Sequence, residues 1–412
     1  MTIWTAISNI FNQLFNIETL KGIFDYNSTT PLIFTQLYFW IFFAFILVIY
    51  SFVYKKNKLR NAFLFLVSIF FYYKTSGFFF SILLFSTFSD YLLGFAIDKG
   101  KTINRKKCWL AISIFINLFV LFYFKYAYFF SDSFNQLVGS QWHPINHFAE
   151  MSNQLFGSTF RVDQILLPVG ISFFTFQTMS YSIDIYRKEI KPVKSIIDFG
   201  FYVSFFPQLV AGPIVRAAKF IPQLYKPYSL TKKQFGMALF WIMNGLLKKV
   251  ILADYIALNL VDRVFENPEL YSGVENLMAL YGYSLQVYAD FSGYTDIAIG
   301  VAMLLGFHLP KNFDSPYKAD SCGNFWKRWH ISLSSWLKDY LYIPMGGNRG
   351  GSVFTFVSLA FVALFLFFIS GSVYVLIYFV VGLLIALIIG LVFPKIKGWY
   401  ITNINIMITM LL

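Results

Sequence analysis

The chain has 412 residues, of which 58% are hydrophobic, 21% aromatic and only 13% charged, against about 25% charged residues in ordinary soluble domains. With a mean hydropathy of +0.61, this composition excludes disorder, collagen, coiled coil and a typical soluble enzyme, and it points to a polytopic membrane protein. The formal charge of +13 would mark a nucleic-acid binder among soluble proteins; here it has to be read loop by loop, because basic loops also orient membrane proteins.

At the N-terminus, Ile3, Trp4, Ile7, Ile10, Phe11, Leu14 and Phe15 recur at helical spacing, with Thr2, Ser8, Asn9 and Asn12 on the other face. Residues 1–30 are expected to form an amphipathic segment on the bilayer surface. Pro31–Tyr54 is the first charge-free run, long enough for a bilayer that needs about 20 residues. Asn61–Tyr73 is apolar but short, Ser76–Ile97 is long enough, and only Lys74 parts them cleanly, which predicts a hairpin or a short tilted pair. Cys108–Phe130, Ile165–Tyr186, Ile197–Ile214, Phe235–Leu258 and Leu277–Gly306 follow, then Ser352–Ser370 and Ser372–Val392. The expected fold is all-α: one membrane domain over residues 1–412, with about ten membrane segments, some of them broken.

The loops separate by sign. Residues 55–60, 98–107, 187–194 and 216–233 are rich in Lys and Arg, whereas 131–164 and 262–275 lean acidic. The positive-inside rule places the first set in the cytoplasm and the second outside. The net charge is therefore a statement about topology and a lipid bilayer, not about nucleic acid. Cys108 and Cys322 form no CxxC pair and read as ordinary small apolar residues.

Polar groups inside apolar segments are costly, so they are candidates for function. The densest case is Tyr288-Ala-Asp290-Phe-Ser292-Gly-Tyr294-Thr-Asp296. On a helix the two carboxylates stand about 240° apart and do not share a face; Gly293 is a candidate break. They line a site or bind neighbouring helices. In the run Phe325–Tyr340, Phe325, Trp329, Leu333, Trp336 and Tyr340 share a helical face, with Lys327, Arg328, Ser332, Ser335 and Lys338 opposite. Tryptophans flanking basic residues suit a membrane interface. His330 sits beside Trp326, Trp329, Ser332 and Ser334. Its imidazole either takes a proton from a substrate hydroxyl or merely hydrogen-bonds at the interface. Phe206–Pro213 places Pro207, Gln208 and Pro213 in an apolar segment with basic loops at both ends. Such a segment re-enters, which is tolerated only against protein or a water-filled cavity. Lys248 and Lys249 interrupt the segment 235–258, and together these features predict a polar funnel. His143 and His147 flank Pro144 and lack a metal-site spacing; residues 346–351 are glycine-rich without a phosphate-loop Lys.

Phe206–Arg216, Tyr288–Gly300 (YADFSGYTDIAIG) and Phe325–Gly351 (FWKRWHISLSSWLKDYLYIPMGGNRGG) resemble the membrane-bound O-acyltransferase family, and most of all its alginate-O-acetylation branch. Similar proteins serve peptidoglycan O-acetylation, and the teichoic acid D-alanine branch is a more distant relative. The resemblance runs from about residue 30 to the end. It implies a many-helix fold around a central funnel in a bacterial inner membrane. It implies acetyl-CoA or another acyl thioester as donor substrate, with no bound cofactor and no metal. It also implies an extracytoplasmic acetyltransferase partner and a polysaccharide acceptor. His330 matches one of the family's polar tunnel positions as a catalytic candidate; Asp290, Ser292, Asp296, Trp326, Arg328, Trp329 and Gln208 are substrate-binding candidates. The family's principal histidine lies in a Gly-Gly-x-Trp-His-Gly motif. No Trp-His-Gly occurs in the sequence, which predicts a C-terminally truncated chain. A transporter or flippase for lipid-linked sugars, or an inactive truncated family member, are the rival readings.

Overall fold

The computed structural model describes residues 32–156, 161–162, 165 and 167–347, together with single positions 362, 377, 381, 402, 405, 406 and 409. The amphipathic segment 1–30 and most of the spans 352–370 and 372–392 and of the terminal run lie outside the described residues.

Among the described residues the regular structure is helical throughout. Helix α1, Leu37–Val53, is charge-free; α2, Asn57–Ser76, and α3, Phe80–Lys99, follow. The short apolar run expected at 61–73 is thus part of a 20-residue helix. Gly77, with φ +61°, turns the chain between α2 and α3; α2 packs on α7 and α3 on α6, two helices described next. Helix α4, Ile103–Val138, runs beyond the apolar core at both ends; α5 spans His147–Phe156, α6 Ile171–Tyr186 and α7 Ile196–Ser204. The proline-bearing segment breaks as its sequence requires. After α7 the chain makes a four-residue helix, α8 (Phe206–Leu209), then irregular backbone, then α9 (Ala217–Leu224). Helix α10, Lys232–Leu246, widens into π-helical turns at Leu247–Asp254 and Ala257–Val261, then α11, Asp262–Glu266. Helix α12, Gly273–Leu304, is unbroken, so Gly293 does not interrupt it. The last described helices are α13, Cys322–Arg328, and α14, Ile331–Leu337, followed by a π-helical turn at Lys338–Tyr342.

Local sequence accounts for several boundaries. Thr231 with Gln234 and Ser272 with Glu275 form capping boxes at the starts of α10 and α12, satisfying backbone N–H groups that a helix start leaves over. Gly170, at φ +73°, precedes α6; a Cβ there would overlap the Leu209 carbonyl oxygen, so the close approach of α8 requires glycine.

Three helical stretches among the described residues are long and apolar enough to cross a membrane: Asn57–Lys99, Ile103–Gln136 and Lys232–Glu266. Large apolar side chains such as Ile41, Phe45 and Phe52 on α1 and Phe115 and Phe119 on α4 are exposed. That is the reverse of a soluble surface and fits a protein solvated by lipid.

The chain divides into two compact units, residues 1–113 with 168–311 and residues 114–167 with 312–412. The first is packed by aromatic rings. Phe201, Phe205, Phe220 and Phe307 meet at 5.1–5.9 Å, and Phe206 packs against Phe71 at 5.4 Å. Arg60, at 2% exposure, lies inside this unit. It donates to the carbonyls of Leu224 (2.7 Å) and Lys226 (3.1 Å) at the C-terminal end of α9, with its guanidinium 5.2 Å from the Phe307 ring. A cation at a helix C-terminus meets its unpaired carbonyls, so Arg60 is structural, although it stands in a run of basic loop residues.

Candidate functional site

Two polar constructions hold the candidate residues, one in each unit. In the first unit, α10 and α12 approach until glycines face backbone. A Cβ on Gly245 would sit 2.5 Å from the Gly293 carbonyl oxygen, and one on Gly300 would sit 2.6 Å from the Ala238 oxygen. Small residues allow such contact between membrane helices. Close packing brings charges across the seam: Lys248 Nζ lies 2.7 Å from Asp296 Oδ2, and Lys249 Nζ lies 2.6 Å from both Asp290 Oδ1 and Asp254 Oδ1. Asn244 Nδ2 also donates to Asp296, at 2.7 Å. Two adjacent lysines on the widened turn straddle α12 and reach carboxylates that point to different sides of it. The seam's charges are occupied by one another. Ser292, between them in sequence, is fully buried. Gln208, on α8, is buried too, its Nε2 donating to the Tyr202 carbonyl at 2.7 Å.

In the second unit the aromatic-basic run does not form one helix. It breaks at Trp329 and His330, because Trp329 is extended (φ −95°, ψ 127°) and His330 is left-handed (φ 43°, ψ 54°). The single apolar face expected over 325–340 is replaced by two short helices meeting at the histidine. A left-handed non-glycine residue costs about 1–3 kcal/mol and persists only where its surroundings over-determine it. Asn312 supplies much of that determination. Its backbone oxygen accepts from Ile331 N at 2.8 Å, and its Oδ1 accepts from Ser332 N at 3.1 Å and Ser332 Oγ at 2.8 Å. Asp314 N donates to the Arg328 carbonyl at 3.0 Å, and Arg328 answers with Nη1 to the Asp314 carbonyl at 3.3 Å. Arg328 Nε also donates to Asn324 Oδ1 at 3.1 Å. Phe313 lies edge-on to Trp329 at 5.2 Å and near-parallel to the His330 ring at 6.4 Å. Trp329 stacks on Phe325 at 5.5 Å, and Trp326 is exposed. His330 is half-buried, and desolvation holds its imidazole below the ordinary histidine pKa. A neutral imidazole has one nitrogen that accepts and one that donates, the equipment for moving a hydroxyl proton.

The structure thus gathers Trp329 and His330 at one helix break, fixes Arg328 beside it, and leaves Trp326 at the surface. It sets Asp290 and Asp296 into ion pairs. Sequence reasoning passed over Asn312, which carries no motif signal, and Asp90. Asp90 is fully buried in α3 and accepts from Ser113 Oγ at 2.5 Å and Ser182 Oγ at 3.2 Å; its place inside an apolar span was the available signal. The carbonyls of Met345 (3.4 Å) and Gly347 (3.1 Å) accept from Asn405 Nδ2, so the first glycines of the 346–351 run belong to a turn held from the C-terminal stretch; 348–351 lie outside the described residues.

A helical membrane protein with a half-buried, neutral histidine at a strained break is the class the fold and site define. The sequence pattern of the membrane-bound O-acyltransferase family (MBOAT) matches residues 116–411, and the chain belongs to that family. A probable alginate O-acetylase of Azotobacter vinelandii is 40% identical over 276 residues, covering 66% of this chain and 52% of that protein. A peptidoglycan O-acetyltransferase of Helicobacter pylori is 34% identical over 323 residues, covering 72% and 58%. A teichoic acid D-alanyltransferase of Bacillus subtilis is 33% identical over 186 residues, covering 42% and 45%. The chain spans about half the length of the curated relatives it matches.

Proposed function

We propose that the protein is an acyltransferase that delivers acetyl groups for O-acetylation of a cell-surface polysaccharide, an alginate-like exopolysaccharide or peptidoglycan. Family membership and the names of its relatives support the reaction class. The observation that carries the assignment of residues is the left-handed, half-buried His330 clamped by Asn312. In this reading the donor is acetyl-CoA or another acyl thioester. The hydroxyl of the acceptor gives its proton to a neutral imidazole, its oxygen forms a bond to the thioester carbonyl carbon, and the C–S bond breaks. The departing thiolate takes up a proton. His330 accepts or orients the hydroxyl proton, while Phe313 and Trp329 wall the ring. Gln208 and Ser292 serve substrate, whereas Asp290 and Asp296 serve the helix seam. The protein is a multi-pass component of the bacterial inner membrane with about ten membrane segments, its Lys/Arg-rich loops in the cytoplasm. It works with an extracytoplasmic acetyltransferase and a polysaccharide acceptor.

The test is acetyl ester formed on the polysaccharide by a bacterial host that lacks its own acetylase and expresses this chain. Ester above the background of the empty host is the expected result. Background-level ester at verified membrane abundance refutes the reading.

A further inference from the structure

We propose that the junction of α6, α7, α8 and α12 is a binding site for an uncharged group rich in hydrogen-bond donors, hydroxyl or amide N–H, carried by one of the two substrates; this rests on the acyl-transfer reading and deepens it. Five buried oxygens carried by these four elements find no hydrogen-bond partner among the described residues: Gln177 Oε1, Ser204 Oγ, Gln208 Oε1, Ser292 Oγ and Tyr294 Oη. Gln177, Ser204 and Gln208 are each 1% exposed and Ser292 is 0% exposed. Native interiors leave few such atoms, and in a membrane protein, with no water to fall back on, each is costly.

The four elements are tied together around α8. Gln208 Nε2 donates to the Tyr202 carbonyl at 2.7 Å, and Tyr202 Oη donates to the Val215 carbonyl at 2.9 Å, with the Gln177 carbonyl 3.4 Å away. Thr295 Oγ1, on the helix that carries Ser292 and Tyr294, donates to the Phe291 carbonyl at 2.9 Å and lies 3.4 Å from the Ala211 carbonyl. The Tyr294 ring stacks on Phe34 at 4.5 Å, and Phe34 and Phe206 both pack against Phe39 and Phe71. The bond to Tyr202 also fixes the orientation of the Gln208 amide, whose oxygen is left unbonded among the described residues.

The chemistry of the set selects the ligand. Two of the oxygens belong to amides and only accept; the other three are hydroxyls that do both. None carries charge near neutrality, and no carboxylate is among them. A phosphate or carboxylate would face carbonyl lone pairs, and a cation would enter a membrane interior without a countercharge among the five. Donor-rich neutral groups remain: the hydroxyls of an acceptor sugar, or the amide N–H groups of a thioester's pantetheine arm. The oxygens are closed to water, and no donor among the described residues reaches them, so entry of a ligand requires the elements around α8 to part. α8 is one turn long and is followed by irregular backbone, so that movement breaks little regular structure.

The experiment uses the 412-residue protein in lipid nanodiscs and two neutral probes, S-acetylpantetheine and cellohexaose, titrated by calorimetry. Ser292→Ala removes an oxygen that bonds nothing among the described residues, and Gln208→Leu removes the amide at similar size. Wild type should bind one probe, and each substitution should weaken that binding about 2–13-fold, the worth of a neutral hydrogen bond, with the melting temperature of Ser292→Ala unchanged. Loss for S-acetylpantetheine assigns the site to the donor arm, and loss for cellohexaose assigns it to the acceptor. Should Gln208→Leu fail to fold, Ser292→Ala decides alone. Binding of neither probe by wild type, or wild-type affinity in Ser292→Ala, overturns the proposal. Acetyl transfer measured on the same samples separates the two ideas: transfer with unaltered binding defeats the site alone, and altered binding without transfer defeats the acyl-transfer reading alone.

Discussion

At the seam of α10 and α12, four aspartate and lysine partners lie in a helix pair whose backbone is regular or gently widened, and each charge is met by an opposite one. At residues 328–332 the reverse holds: the one titratable ring is uncharged and the backbone carries the irregularity. A charge inside a membrane protein has to be neutralised, and once neutralised it is a fastener. A neutral imidazole held out of regular structure by its neighbours keeps its chemical capacity. In the proposed reading the seam is architecture and the break is chemistry, and substitutions centred on four residues test that division.

The largest effect is expected at His330. His330→Ala should lower acetyl ester formed per unit of membrane protein by about 10²–10⁴-fold, the usual contribution of a positioned acid–base group, at equal abundance by blot. His330→Gln should recover part of it if the ring only orients a hydroxyl, since an amide hydrogen-bonds but does not take a proton near neutrality. Because burial lowers the histidine's pKa, the neutral form persists below the ordinary titration range. The wild-type rate should therefore stay flat as pH falls from neutrality past that range, and drop only at more acid pH. The stability term has the same sign: below the ordinary histidine pKa the unfolded chain binds more protons than the folded one, so acidification costs stability. A rate that halves near the ordinary histidine pKa, or His330→Ala at wild-type turnover, would collapse the distinction between break and seam.

Next comes the buried end of the seam. Lys248 and Asp296 are 22% and 8% exposed. Asp296→Ala leaves the ammonium facing a hydrophobic helix contact, which should cost on the order of 3–5 kcal/mol. Thermal unfolding in detergent is the measurement, and Lys248→Met combined with Asp296→Leu should restore much of the loss. If Asp296→Ala instead abolishes acetyl transfer at unchanged melting temperature, the seam belongs to the chemistry after all.

Asn312 is expected to cost less. Asn312→Ala strands the Ser332 N–H and hydroxyl, a loss of about 1–3 kcal/mol for buried unsatisfied groups, and loosens the turn that holds His330. Asn312→Asp keeps the acceptor and should preserve kcat better than Asn312→Ala. Equal kcat in both would detach Asn312 from the positioning of the ring.

How much of this was legible beforehand differs by element. The charge-free run that became α1 and the broken proline segment followed from bilayer length and backbone satisfaction alone. The break at His330 did not. Phe325, Trp329, Leu333, Trp336 and Tyr340 fit helical periodicity across it, and only Asn312, distant in sequence and without a motif, decides otherwise. Gly293 was misleading for a related reason: in isolation a mid-helix glycine reads as a weakness, yet here its missing Cβ admits the Gly245 carbonyl. Arg60 looked like a loop charge because charge counting has no way to see the C-terminal carbonyls of α9. Local pattern reports what a segment prefers; the partner that overrides the preference comes from elsewhere in the chain.

The smallest effect is expected at Asp290, and it is the sharpest probe of the seam. Asp290 and Asp296 belong to one motif and both pair with lysine at under 3 Å, so distance alone would rank them equal. Their surroundings differ: the Asp290 side chain is 53% exposed against 8% for Asp296. An exposed carboxylate is screened, and the pair gains little over its separated, solvated partners, about 0–1 kcal/mol. Lys249 also keeps Asp254 at 2.6 Å when Asp290 is removed, so its ammonium is not stranded. Asp290→Asn should therefore leave the melting temperature nearly unchanged, and the small loss should shrink further in high salt, whereas the cost of Asp296→Ala should hardly respond to salt. Removing Asp254 as well takes away the second partner and should raise the cost above the sum of the single substitutions. A drop for Asp290→Asn as large as that for Asp296→Ala would mean that the lipid, rather than water, surrounds its carboxylate, and the two ends of the seam would then have to be treated as one buried network.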